Sequence, residues 1–291
     1  MPNPIEPLLH ADSVRVDDGV PVVENLTIET VGTNVAIVGA ARALFEAVCG
    51  VRPVTRGTLR VCGMSPRDAL RAGAMASAPI DVAVPAKWTV HDLARENARL
   101  AGQAKGAANK LAKDALHAMQ LDAYATKKLS AVDAPVKRAA MIAAALATGA
   151  GAIVVEDFTA GLPDAAARSL SKLFVAACEG RRWIVFAGRL ALSSPIGLHA
   201  DEALLFVGGR FVCAGLPAEI ASRERTYTVR TSGAAEPFAA KLRERGAHVE
   251  GAGAVLTVTM PEGLATHELV ALARDANVVV LELLPLSGAL A

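Results

Sequence analysis

The 291-residue chain is short of aromatics, at 4%, and has four cysteines and six histidines. Cys49, Cys62, Cys178 and Cys213 lie far apart with no C-x-x-C pair, and the histidines are scattered. That spacing excludes a disulfide framework and a clustered zinc site, and it fits reduced core thiols in a cytosolic protein. An excess of one charge sign is also missing: 30 basic against 29 acidic residues leave a net charge of +1. Such a balance excludes nucleic-acid binding driven by a basic surface, and it excludes an acidic tail. No lysine occurs before Lys87. Long apolar runs are missing too. The most apolar stretch, residues 139–155, is rich in alanine and is interrupted by Thr148-Gly149-Ala150-Gly151. It reads as a buried helix, a turn and a strand, with no direct membrane span. The opening Met-Pro-Asn-Pro-Ile-Glu has neither a basic nor an apolar region, so no secretory signal is expected.

What is present is a large apolar fraction, 53%, with 20% charged residues. A chain of this length and composition buries a sizeable core, enough for one large domain or for one domain plus a small second one. Residues 14–16 and 22–28 read as strands around the turn Asp17-Asp18-Gly19. Residues 35–38 form a short apolar run, Gly39 follows, and residues 40–48 have helical composition. Strand, tight turn, helix is the local setting of a phosphate loop. A strand at 58–61, helices across 90–121 with a break at 102–106, and a helix at 134–146 come next. Then follow a buried strand at 152–155, a helix at 165–177, and strands at 183–186, 203–206 and 211–214. This alternation predicts an α/β domain with a largely parallel central sheet.

Beyond Ser222 the order changes to strand 227–231, helix 237–245, strands 248–250 and 254–260, helix 266–275 and strand 278–283. That is β-α-β-β-α-β, a ferredoxin-like α+β unit. The expected division is a domain of residues 1–222, with a helical subdomain at about 90–147, and a domain of residues 223–291.

Several segments of the larger part resemble, in order and spacing, the nucleotide-binding subunit of an ABC transporter. "NLTIETVGTNVAIVG" resembles the strand entering the Walker A loop, and "GVRPVTRGTLRVCG" the segment after the Walker A helix. "WTVHDLARENARLAG" resembles the stretch beyond the Q-loop, and "KKLS" with "VKRAAMIAAAL" the signature motif and its helix. "AIVVEDFTAGLPDAA" resembles Walker B and the D-loop, and "EALLFVGGRFVCAGLPAEI" the final strands. The resemblance implies a P-loop NTPase-like cassette with a mixed sheet and a helical subdomain. The C-terminal part resembles the accessory domain of exporter-type members.

The residues that face nucleotide in that family depart from its pattern here. A working phosphate loop needs glycines, a lysine on the phosphates and a Ser/Thr hydroxyl on Mg²⁺. Gly39 is followed instead by Ala40, Ala41, Arg42, Ala43 and Leu44, and the segment is shorter than the family's. Arg42 brings charge but not lysine's geometry; its plain reading is a structural turn with the side chain in solvent. The adenine-stacking aromatic expected near Val16 is absent. The Q-loop glutamine position falls on Ile80. Ser130 matches the signature serine, but Ala131 and Val132 replace its glycines; Lys137 and Arg138 match its basic end. At Walker B the order is Glu156-Asp157, which exchanges the two carboxylate lengths. Either they serve a metal or a base, or they cap a strand end through Thr159 or backbone N–H groups. The D-loop reads Gly161-Leu162-Pro163-Asp164. The H-loop histidine position holds Arg189, and His199 lies beyond the motif.

The resemblance with these departures implies a pseudo-ATPase with a structural or regulatory role. It would be cytoplasmic, held peripherally at the inner face of a membrane by a permease subunit or an intact cassette subunit, as a homo- or hetero-dimer. Catalytic residues, a metal and a bound cofactor are not expected; ATP and Mg²⁺ would enter only at a composite site. Two alternatives stand beside it: half of a composite-site heterodimeric ATPase lending Ser130 to its partner, and a soluble protein-interaction module. Residues 80–88, with Val82, Val84, Pro85 and Trp88, are either an apolar docking patch for a membrane subunit or ordinary packing against the helical subdomain.

Overall fold

The computed structural model describes residues 6–40, 42–81, 83–221, 225–233, 235–261 and 263–286. In chain order the elements are β1 (Leu9–Asp18), β2 (Val20–Glu29), β3 (Asn34–Val38), α1 (Arg42–Val48), β4 (Arg56–Val61), α2 (Pro66–Arg71), β5 (Met75–Ala78), α3 (Val90–Leu100), α4 (Lys105–Ala118) and α5 (Ala134–Ala147). Next come β6 (Ala152–Val155), α6 (Asp164–Ala177), β7 (Arg182–Ala187), α7 (Pro195–His199), β8 (Glu202–Val207), β9 (Arg210–Gly215) and α8 (Pro217–Ala221). The chain closes with β10 (Thr226–Thr231), α9 (Glu236–Glu244), β11 (His248–Ala252), β12 (Val255–Thr259), α10 (Thr266–Asp275) and β13 (Val280–Pro285).

Three sheets result. The central one is six-stranded in the order β5-β6-β7-β3-β8-β9; all its pairings are parallel except β8 with β9. A three-stranded antiparallel sheet, β2-β1-β4, packs on one side of it. The period of two along the central strands sorts their side chains. Val35, Ile37, Val154 and Ile184 join the core with β1, β2 and α1, whereas Ala36, Val38, Val155 and Val185 join the core with α3 to α6. Both faces are covered, so β3 and β6 read as unbroken apolar runs.

The helical side owes its close packing to alanine. Nine of the 14 residues of α5 are buried, six of them alanine. The helix starts where the Asp133 side chain accepts from the Val136 N–H at 3.1 Å, and Gly149 at φ +81° follows its end. Helix α3 starts with a capping box: Thr89 and Asp92 exchange hydrogen bonds between side chains and backbone.

The C-terminal sheet is fully antiparallel in the order β11-β12-β10-β13, the arrangement of a ferredoxin-like split unit. Helices α9 and α10 cover one face around their own core of Phe238, Leu242, Leu256 and Leu269. Leu286, just past β13, is 1% exposed and belongs instead to the core shared with α3 to α6. The chain is thus an α/β fold with a mixed sheet and helical layer, followed by a small α+β unit. The division expected near residue 222 falls on residues 222–224, outside the described residues. Four elements were not anticipated: β5, whose Met-Ala-Ser-Ala has little β character, and the short helices α2, α7 and α8, of which α2 and α7 are opened by a Ser-Pro pair, Ser65-Pro66 and Ser194-Pro195. Strand β13 lies two residues later than expected, and α1 starts at Arg42, not at Ala40.

Candidate functional site

In a sheet of this kind ligands gather at the carboxyl ends of the parallel strands. Those ends bring Gly39, Arg42, Ile80, Glu156, Asp157 and Gly188 together. Strand β3 ends at Val38 and α1 begins at Arg42, so residues 39–41 are the whole connection. Of these, Ala41 lies outside the described residues. A phosphate loop of the G-x-x-x-x-G-K-[ST] type takes about eight residues to wrap an anion.

The short connection serves packing. Gly39 has φ +74°, and a Cβ there would run into the Phe206 carbonyl oxygen. Its N–H donates to the Ala187 carbonyl at 2.9 Å and is spent on the sheet. Ala40 packs against the core on the β1 side, and Ala43 is buried in it.

Arg42 is half exposed. Its Nε lies 3.3 Å from Glu46 Oε1, one turn along α1, and 3.3 Å from Glu156 Oε1 across the site. Glu46 also takes Arg52 Nη2 at 2.7 Å, and Arg52 reaches Asp18 at 3.0 Å. A chain of alternating charge therefore runs from the β1–β2 turn to the end of β6. Glu156 itself is 7% exposed, and its Oε2 accepts from the Ile80 N–H at 2.8 Å. A buried carboxylate needs such partners. Its neighbour Asp157 accepts from the Gly188 N–H at 2.6 Å and from the Thr159 hydroxyl at 3.0 Å. The capped strand end is therefore the arrangement present. Glu46 and Gly188 were not singled out from sequence, although Arg42 and Glu46 have the i,i+4 spacing of a helical ion pair.

Other positions lie outside this cluster. Ser130 is exposed on a 3₁₀ turn, Leu129–Ala131, and shares no hydrogen bond with the group among the described residues. Arg138 donates to the carbonyls of Phe158 and Ala160 at 2.9 and 2.6 Å, fastening α5 to the loop after β6. Arg189 is exposed and makes no hydrogen bond or ion pair among the described residues. His199 is engaged with the Pro195 carbonyl at 2.8 Å. Val84 and Trp88 are half-buried and pack against the helical core; Val82 lies outside the described residues. Burial pushes the Cys49 thiol up to about 12, with Glu156 and Glu46 adding to the effect and a Ser77 hydrogen bond opposing it.

Solved structures share this fold. CbiO1 from Clostridium perfringens, part of the ABC transporter complex CbiONQ, superposes with a TM-score of 0.63 at 17% identity, over 75% of this chain and 92% of that one. An ATP-binding subunit of an ABC transporter gives 0.61 at 15% identity, over 73% and 91%. The ADP conformation of an ATP-binding cassette of an ABC transporter gives 0.59 at 12%, over 72% and 91%. The chain has the fold of an ABC cassette. No protein-family model and no curated protein matches it.

The cassette fold implies ATP and Mg²⁺, and the residues at its strand ends do not fit them. The connection after β3 is too short to enclose a phosphate, and Arg42, the cation that opens α1, is shared between Glu46 and Glu156. Both carboxylates that could approach a metal are held by protein donors. Among the described residues no group of three or more His, Cys, Asp or Glu could hold a metal ion. None of the helices is long and apolar enough to cross a membrane, among the described residues.

Proposed function

We propose that this chain is a pseudo-ATPase on an ABC cassette scaffold. Its role is structural or regulatory, in a transporter-like complex on the cytoplasmic side of a membrane. The observation that carries this reading is the Arg42–Glu156 ion pair at 3.3 Å over a connection of residues 39–41. The protein's own charges meet where phosphate and metal would have to be held. Phosphoryl transfer rests on placed donors and a bound metal, and losing one of them costs orders of magnitude in rate. The site positions Gly39, Ala40, Ala41, Arg42, Ala43, Ile80 and Ser130 are read as remnants, Glu156 and Asp157 as a capped strand end in place of Walker B, and Arg189 as the occupant of the H-loop position with no catalytic role.

The partners proposed are a permease subunit or an intact cassette subunit, since the solved proteins of this fold are parts of ABC transporters. Two domains are proposed, residues 1–222 and 223–291, with the helical subdomain at about 90–147. Steady-state ATPase assays on the purified chain test the reading. Phosphate release no faster with Mg²⁺-ATP than in a blank supports it; magnesium-dependent turnover overturns it.

A further inference from the structure

A crevice of about 420 Å³ opens where the carboxyl ends of β3, β7 and β8 meet the face of the C-terminal sheet that α9 and α10 leave bare. Gly39, Arg189 and Val207 line one wall; Thr228, Glu282 and Leu284 line the other. That volume lies within the range of small-molecule sites.

Its polar groups are unbalanced in a particular way. Thr228 is 1% exposed, and its hydroxyl has no hydrogen-bond partner among the described residues. Its neighbour Val229 points into the α9–α10 core, so the strand's alternation turns Thr228 toward the crevice that it lines. A buried hydroxyl without a partner is costly and rare. Arg189 lines the opposite wall and finds no acceptor among the described residues. The crevice carboxylate, Glu282, is neutralised by Arg230 at 3.0 Å. One positive charge and one unmet hydroxyl thus remain, between apolar walls that include Leu205 and Leu284. The walls are fixed to each other by Leu286, which is buried in the cassette core.

We propose that this crevice binds a small organic anion: a carboxylate or phosphate group on a short apolar body. The anionic group meets Arg189, a polar oxygen meets the Thr228 hydroxyl, and the body lies against Leu205 and Leu284. Half of this site is built by the C-terminal sheet, and the assignment does not depend on the pseudo-ATPase reading.

Calorimetric titration of the full chain with hexanoate, hexyl phosphate and neutral hexanol tests it. Saturable one-to-one binding of at least one anion, and none of hexanol, is expected; which anion binds identifies the head group. Arg189→Gln should weaken that binding by about tenfold or more, and Thr228→Val by about threefold or more. T228V removes an unmet hydroxyl without changing shape, so it should melt no lower than the wild type while binding more weakly. Absence of binding of both anions to the wild type overturns the proposal, as does wild-type affinity in either variant. ATP in the same cell tests the other reading separately: anion binding without ATP binding leaves both standing.

Discussion

Breaking the Arg42–Glu156 pair should destabilise the cassette even though Arg42 is half exposed. Exposed ion pairs contribute about 0–1 kcal/mol, and removing one partner of a fully buried pair costs about 3–5 kcal/mol. This pair lies between those limits. The Glu156 side chain is 9% exposed and that of Arg42 is 54% exposed. Glu156 also keeps the Ile80 N–H when Arg42 is lost. Arg42→Met should therefore cost about 1–2 kcal/mol, or about 3–6 °C in melting temperature for a unit of this size. Glu156→Gln preserves an acceptor for Ile80 and removes only the charge. In the Glu156→Gln background Arg42→Met should cost only the Glu46 contact, about 0.3–0.5 kcal/mol, which leaves a coupling energy of about 1 kcal/mol in the double-mutant cycle. The assay is denaturant unfolding followed by tryptophan fluorescence. Trp88 and Trp183 are the two tryptophans of the chain, and both belong to or pack on the helical core of the cassette. The signal therefore reports that unit and not the C-terminal one. A coupling below about 0.3 kcal/mol refutes the reasoning, because the two charges would then not sense each other.

Three further outcomes follow from other parts of the molecule. Burial pushes the Cys49 and Cys178 thiols up to about 12, so neither should react with a disulfide reagent at pH 8 until denaturant is added; rapid labelling of either in native protein contradicts the packing. At α3, burial alone would raise the Asp92 carboxyl, but the Thr89 N–H and hydroxyl, and then Arg95, outweigh it and hold it below its ordinary value. A lowered folded-state value means stability that is present above the carboxylate range and lost as pH falls through it. Asp92→Asn should thus cost about 1 kcal/mol near neutrality, and melting curves of variant and wild type should converge in acid. Gly39→Ala should cost about 2 kcal/mol or more by the same fluorescence assay, since a left-handed backbone and the Phe206 carbonyl both oppose a Cβ; a neutral substitution would mean that the turn relaxes.

Much of the fold was legible because burial on both faces writes itself as apolar runs. Val35-Ala36-Ile37-Val38 and Ala152-Ile153-Val154-Val155 announced central strands, and the β-α-β-β-α-β order announced the C-terminal unit. Strand β5 was silent because two of its four residues are alanine and one is serine, and its burial comes from β6 and α5, not from its own composition. The site was legible only as a set of departures. The short stretch from Gly39 to Arg42 and the order Glu156-Asp157 stand in the sequence, but that Arg42 closes on Glu156 depends on β3 and β6 ending at the same pole with β7 between them. The crevice beneath Thr228 was not legible at all, since it needs two sheets that belong to different parts of the chain.

Nucleotide affinity tests the central claim most directly. ATP is titrated into the purified full chain by calorimetry, with and without Mg²⁺. The account predicts no saturable binding in the micromolar range under either condition and no gain on adding Mg²⁺. Micromolar ATP affinity that strengthens with Mg²⁺ would contradict it, showing that the three-residue turn and the Arg42–Glu156 pair give way to a phosphate.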